Sequence, residues 1–178
     1  INIKNVIKED EVNPHVWTSI ENYINQVKEI SQVLIQQNSE NKQIYEENTE
    51  KYIKDLEKVE KQYEEISQEL NGQKAICLNE ALEYLAKDIK LEYISLHTDH
   101  DENSMSAESI KNIINKMNTE NIKIILIGKD DSIKNAEILA NETNAKIYKL
   151  DTVLTGATDK SAYIDAANRN LEVLKSVL

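Results

Sequence analysis

The sequence predicts an α/β fold: a four-stranded parallel sheet with helices on both faces, preceded by one long helix. Two observations carry the prediction. Residues 39–70 hold neither Gly nor Pro and read as a helix throughout, whereas after Asn71-Gly72 short apolar runs alternate with helical patterns. Strand and helix in strict alternation imply parallel strands joined by right-handed crossovers and covered on both sides.

The elements follow in order. From Thr18 to Gln37, Ile20, Tyr23, Ile24, Val27, Ile30, Val33 and Leu34 form a helical stripe, with Thr18 and Glu21 spaced as a capping box. Asn38-Ser39 interrupts it. The second helix, Ser39 to Leu70, would reach roughly 48 Å. Its apolar side carries Tyr45, Tyr52, Leu56, Val59, Tyr63, Ile66 and Leu70, and from Tyr52 the steps alternate four and three. That spacing also fits a coiled-coil dimer, although the seam lasts under three heptads. Lys74–Asn79, Glu92–Leu96, Lys123–Ile127 and Lys146–Leu150 read as buried strands. Helical patterns lie near Glu80–Lys87, Ala107–Met117, Ser132–Glu142 and Ser161–Val177.

Composition narrows the function. With 21 basic against 32 acidic residues the net charge is −11, which disfavours nucleic acid or an anionic membrane surface and tolerates cations. No apolar run is long enough to span a bilayer. Cys77 is the single cysteine, set in the apolar run Ala75–Leu78, and is expected to be buried and inert. Three glycines, Gly72, Gly128 and Gly156, build neither a GxGxxG nor a P-loop.

Open parallel sheets bind ligands beyond the carboxyl ends of their strands. That rule selects Asn79-Glu80, His97-Thr98, Gly128-Lys129 and Asp151-Thr152. Glu80 also opens a helix, where a carboxylate is a common cap, and an Asp opening a loop is common turn chemistry. Singly, each reads as structural; together at one sheet edge, Glu80 and Asp151 are a candidate site for a cation or a polar small molecule. His97 and His100 occupy a polar loop and read as surface residues. His15 lies in Asn13-Pro14-His15-Val16-Trp17, a stiff corner ahead of a helix, beside the only tryptophan.

These pieces resemble the C-terminal part of the metal-ion-binding receptors of ABC importers, the zinc/manganese group often called adhesion lipoproteins. Asn13–Trp17 is similar to that family's D-P-H-x-W motif with Asn in place of Asp. Residues 38–70, with Glu40-Asn41-Lys42 and Tyr45-Glu46-Glu47-Asn48, are similar to its inter-lobe helix. Asn79-Glu80-Ala81 falls on its short motif opening a helix, Leu150-Asp151 on its aspartate after the last strand, and Ser161–Leu171 on its closing helix.

The resemblance implies residues 1–37 as the remnant of an N-terminal lobe, 38–70 as the long linking helix, and 71–178 as the C-terminal α/β lobe. It implies one metal ligated by His15, Glu80 and Asp151, with a further histidine and a lipid-bearing cysteine upstream of this truncated chain. The implied function is extracytoplasmic capture of Mn2+ or Zn2+ as cargo and delivery to an ABC permease in the membrane. The receptor would be a monomer without catalytic residues, lipid-anchored at the outer face or periplasmic. Mixed imidazole and carboxylate donors lean towards manganese, though zinc also accepts carboxylate oxygen. The shortened chain is expected to bind metal weakly or not at all. A coiled-coil or interaction protein, and an enzyme with a flavodoxin-like half, are the alternatives.

Overall fold

A computed structural model describes residues 7, 12–96 and 106–178; His97 and His100 lie outside them. The four expected strands are present: β1 (Lys74–Cys77), β2 (Glu92–Ser95), β3 (Ile124–Gly128) and β4 (Lys146–Leu150). They form one sheet in the order β2-β1-β3-β4, every neighbouring pair parallel. The helices are α1 (Ile20–Gln37), α2 (Lys42–Leu70), α3 (Glu83–Asp88), α4 (Ala107–Thr119), α5 (Lys134–Thr143) and α6 (Ala162–Lys175).

The two central strands, β1 and β3, bury both faces, because alternate side chains meet different helical layers. Ala75, Cys77, Ile124, Leu126, Tyr148 and Leu150 join the core made with α2, α3 and α6. Ile76, Ile125 and Ile127 join a second core with Ile113 and Met117 of α4 and Ala136 and Leu139 of α5. Cys77 is fully buried, and burial pushes its thiol up to about 12, so it is inert as expected.

Three boundaries differ from the sequence reading. Ser19, not Thr18, caps α1, its hydroxyl accepting from the Asn22 amide, because Thr18 closes the short 3-10 turn Val16–Thr18. The long helix begins at Lys42; Asn38 has φ −145° and ψ 78°, and Ser39–Asn41 is a 3-10 turn. Asn79 rather than Glu80 caps the turn after β1, its side chain accepting from the Ala81 amide.

Leu56, Val59, Tyr63, Ile66 and Leu70 of α2 are buried in the chain's own core, so the seam that suggested a coiled coil is already occupied. The α1 stripe is only half used. Ile20 and Ile24 are buried, while Ile30 (56%), Val33 (53%) and Leu34 (43%) are exposed. Where α1 meets α2 at that level the contact is polar, Thr49 Oγ1 donating to Ser31 Oγ at 2.8 Å.

The chain order reverses between β1 and β3: β1 leads outward to β2, and α4 returns the chain to the other side of β1. In doubly wound sheets such a switch point opens a crevice at the carboxyl ends of the strands.

Candidate metal centre

Two loops close that edge of the sheet. After β1, Asn79 Nδ2 donates to Asp131 Oδ2 at 2.8 Å, and the Gly128 amide at the end of β3 donates to the same oxygen at 2.7 Å. A Cβ at Gly128 would stand 2.7 Å from that carboxylate oxygen, so a larger residue there would push the Asp131 side chain off its two partners. The bridge ties the carboxyl ends of β1 and β3 and holds Glu80 and Lys129 beside the crevice.

The Asn13–Trp17 corner is fixed from both sides. Tyr84 of α3 donates its hydroxyl to the Asn13 carbonyl at 3.0 Å. Asn13 Nδ2 donates to the Glu80 carbonyl at 2.9 Å and to Glu83 Oε2 at 3.1 Å. Trp17 Nε1 donates to the Thr152 carbonyl at 3.1 Å, and Tyr163 of α6 donates to the Trp17 carbonyl at 2.8 Å. The indole ring meets the His15 ring edge-on, with centroids 5.3 Å apart. Asn13 and Trp17 thus meet the imidazole from two sides, between the loop after β1 and the loop after β4.

Of the three sequence-selected residues, His15 and Glu80 come together: Nδ1 lies 3.6 Å from Glu80 Oε1. Asp151 sits at the next loop, its neighbour Thr152 bonded to Trp17. Among the described residues no three His, Cys, Asp or Glu side chains form a group that could hold a metal.

Asp151 is instead held by cations of the chain. Lys129 Nζ lies 2.8 Å and an Arg169 guanidinium nitrogen 3.0 Å from its Oδ2, and the Val153 amide donates to Oδ1 at 2.9 Å. Burial alone would push this carboxyl up. The bonds from Lys129, Val153 and Arg169 outweigh burial and hold it below the usual carboxylate value. Asn170 clamps the Asp151 backbone twice, its Oδ1 accepting from the amide and its Nδ2 donating to the carbonyl. The turn places Val153 at φ +56°, a strained conformation for a β-branched residue, as occurs at binding loops.

Arg169 and Glu83 were not selected from the sequence, and Lys129 was selected only by its place at a strand end, not as a partner of Asp151. Glu83 carried a subtler signal: it is the one charged residue within the apolar run Ala81–Ala86, and it is 1% exposed.

Comparison with known proteins gives this arrangement a setting. Residues 3–177 match the family model described as "ZnuA: Zinc-uptake complex component A periplasmic". The high-affinity zinc uptake system protein ZnuA of Bacillus subtilis is 31% identical over 172 residues, covering 94% of this chain and 54% of that protein. The manganese ABC transporter substrate-binding lipoprotein scaA of Streptococcus gordonii is 22% identical over 176 residues, 96% of this chain and 56% of that protein. Among solved structures, the metal-dependent lipoprotein YcdH of Bacillus subtilis superposes with a TM-score of 0.80 at 28% identity, over 97% of this chain and 66% of that one. The chain thus spans about half the length of the curated relatives it matches. On the breadth of that match, this chain belongs to the ZnuA family of metal-uptake components.

Proposed function

We propose that this chain is the part of an extracytoplasmic receptor that captures a divalent transition metal, manganese or zinc, and presents it to an ABC permease. In this reading His15, Glu80 and Asp151 are protein ligands to the cargo, and no bond is broken. The carrying observation is the approach of the His15 imidazole to the Glu80 carboxylate, two residues from distant parts of the chain, at the mouth of the sheet crevice. Imidazole with carboxylate is a donor set that suits both metals, and relatives named for zinc and for manganese fit that breadth.

Ligation by Asp151 requires the cation to replace Lys129 or Arg169 on its carboxylate. Glu80, on a half-exposed side chain, has room to turn towards the ion. Three ligands leave an open, hydrated position, so this chain alone is expected to fold without metal and to bind it more weakly than a longer receptor carrying a further ligand. Attachment at the outer face of the membrane or residence in the periplasm, and a monomeric state, complete the reading; sedimentation across a concentration range tests the last.

Titration calorimetry with Mn2+ and with Zn2+ tests the site. His15→Ala and Asp151→Ala each lower affinity by orders of magnitude while circular dichroism shows the fold retained. Unchanged affinity in both variants defeats the assignment.

A further inference from the structure

We propose that Glu83, acting through Asn13, is a positioning residue that sets the tautomer of His15 and thereby selects Nε2 as the nitrogen offered to the cation. This rests on the reading of His15 as a metal ligand.

The chain of contacts starts at a charge where none is expected. Glu83 lies in the first turn of α3, 1% exposed, among Ala81, Leu82, Tyr84 and Leu85. Its carboxylate accepts from Ser95 Oγ at the end of β2 through Oε1, and from Asn13 Nδ2 through Oε2 at 3.1 Å. An ionised carboxylate only accepts hydrogen bonds. The second partner of the Asn13 amide nitrogen, the Glu80 backbone carbonyl at 2.9 Å, also only accepts. Both therefore demand the NH2 end of the Asn13 carboxamide, and its oxygen is left facing His15.

That oxygen is engaged twice. Asn13 Oδ1 accepts from the His15 backbone amide at 2.9 Å and lies 3.0 Å from His15 Nδ1. The other group near Nδ1 is the Glu80 carboxylate, 3.6 Å away and likewise an acceptor, which must turn from Nδ1 to share a cation bound at Nε2. Nδ1 thus faces oxygen acceptors, and a neutral imidazole placed there carries its proton on Nδ1. The lone pair falls on Nε2. A carboxamide reversed end for end would put an N–H against Nδ1 and invert the tautomer; Glu83 opposes the reversal together with the Glu80 carbonyl and the His15 amide, and is the one side chain among the three. The partner that fixes a ligating histidine commonly bonds it directly. Here the negative charge stands one residue further back, and a neutral amide carries its directional preference forward.

The arrangement has a charge rule. An acid at position 13 in place of Asn would set two carboxylates 3.1 Å apart in a buried site, where one must take up a proton. Moving the acid from 83 to 13 restores a single charge.

The test reads the tautomer directly, without metal. Long-range proton–nitrogen correlation spectra of the 178-residue chain, 15N-labelled at histidine, are recorded at pH 8, where an ordinary imidazole is neutral. The expected wild-type spectrum shows His15 protonated at Nδ1. Glu83→Gln, nearly isosteric but able to donate, admits both orientations of Asn13 and gives a mixture of tautomers. It also weakens Mn2+ binding about tenfold, the size of effect seen when an orienting partner of a ligand is lost. Asn13→Asp alone melts lower at pH 8 than at pH 5 relative to wild type, and combining it with Glu83→Gln restores both the melting temperature and the Nδ1–H signal. A packing role for Glu83 does not produce that rescue.

A wild-type His15 protonated at Nε2 overturns the inference, whatever the variants do, and so does a Glu83→Gln spectrum identical to wild type. If the tautomer responds as expected but His15→Ala leaves Mn2+ affinity unchanged, the positioning stands and the cargo-site reading fails.

Discussion

Asp88 and Asp151 are two withdrawn carboxylates that the fold treats in opposite ways. Asp88 ends α3 and meets the start of α1, accepting from the Ser19 hydroxyl and the Ile20 amide. Burial dominates there, and Glu21 and Glu60 add like charge, so its carboxyl is pushed up to about 6. Asp151, at the sheet crevice, is 4% exposed and yet is held below the usual range by Lys129, Val153 and Arg169. Burial raises both groups; for Asp88 it prevails over the two hydrogen bonds, whereas for Asp151 the partners outweigh it. One carboxylate costs the fold something when charged, while the other is kept charged by its partners.

The contrast is tested most severely by making Asp151 neutral. Asp151→Asn is expected to weaken Mn2+ binding about 100-fold, since a carboxylate ligand is lost while the turn survives. Calorimetric titration reads it, and a change under threefold would remove Asp151 from the site.

The next effect is on stability. Asp88 takes up its proton more readily folded than unfolded, because its folded value of about 6 lies above the ordinary 3.8. The contribution is fully present below the unfolded value and is lost as pH rises between about 4 and 6. At 1.36 kcal/mol per pKa unit the loss is on the order of 2 to 3 kcal/mol. Asp88→Asn keeps an acceptor for Ser19 and Ile20 without the charge. It is expected to raise the melting temperature by roughly 5 °C at pH 7.5 and to flatten the dependence between pH 4 and 6. A lower melting temperature at pH 7.5 would mean that the charged form stabilises the junction.

Asp151 has the reverse sign. Its lowered value adds stability above the ordinary carboxylate range, and that stability is lost as pH falls through the folded value. Acid unfolding of Asp151→Asn against wild type should therefore show the two converging as pH falls below the ordinary carboxylate range. At pH 7 the variant should be less stable by about 1 to 2 kcal/mol, a modest figure because Lys129 and Arg169 can turn their charges to water. Denaturant titrations at both pH values check it.

The smallest effect concerns the competing cation. Lys129→Met removes one positive charge from Asp151 and is expected to tighten Mn2+ binding about threefold; weaker binding would make Lys129 a support of the site and not a rival to the metal.

Much of the fold was legible in the sequence, for reasons that differ by element. Runs such as Ile124–Ile127 are apolar at every position because both sheet faces are covered, whereas a strand with one face in water would alternate. The strand-end rule pointed to Glu80 and Asp151 without any side-chain detail, and both do lie past the carboxyl ends of their strands. The apolar stripe of α1 overstated its burial, because periodicity records which residues share a face and not whether that face is covered; Ile30 and Val33 are exposed. The cap at Ser19 was missed by one residue because Thr18 and Ser19 are both competent caps and the 3-10 turn decides between them. Lys129 was named by position at the end of β3, but its meeting with Arg169 on Asp151 was out of reach, because that depends on β3 lying beside β4 and on the rotation of α6, neither of which is a local property of sequence.

The edge-on contact between Trp17 and His15 has an optical consequence. The chain holds one tryptophan, so its indole emission arises from a single place, and that place is 5.3 Å from the candidate ligand and bonded to the loop that follows Asp151. Protonation of the imidazole, or arrival of a paramagnetic ion such as Mn2+, changes the electronic surroundings of that one fluorophore before any larger motion occurs. The molecule therefore comes with its own label: if the proposed site is right, stopped-flow emission at the indole wavelength follows metal arrival at this corner in real time, with no dye attached and no second tryptophan to subtract.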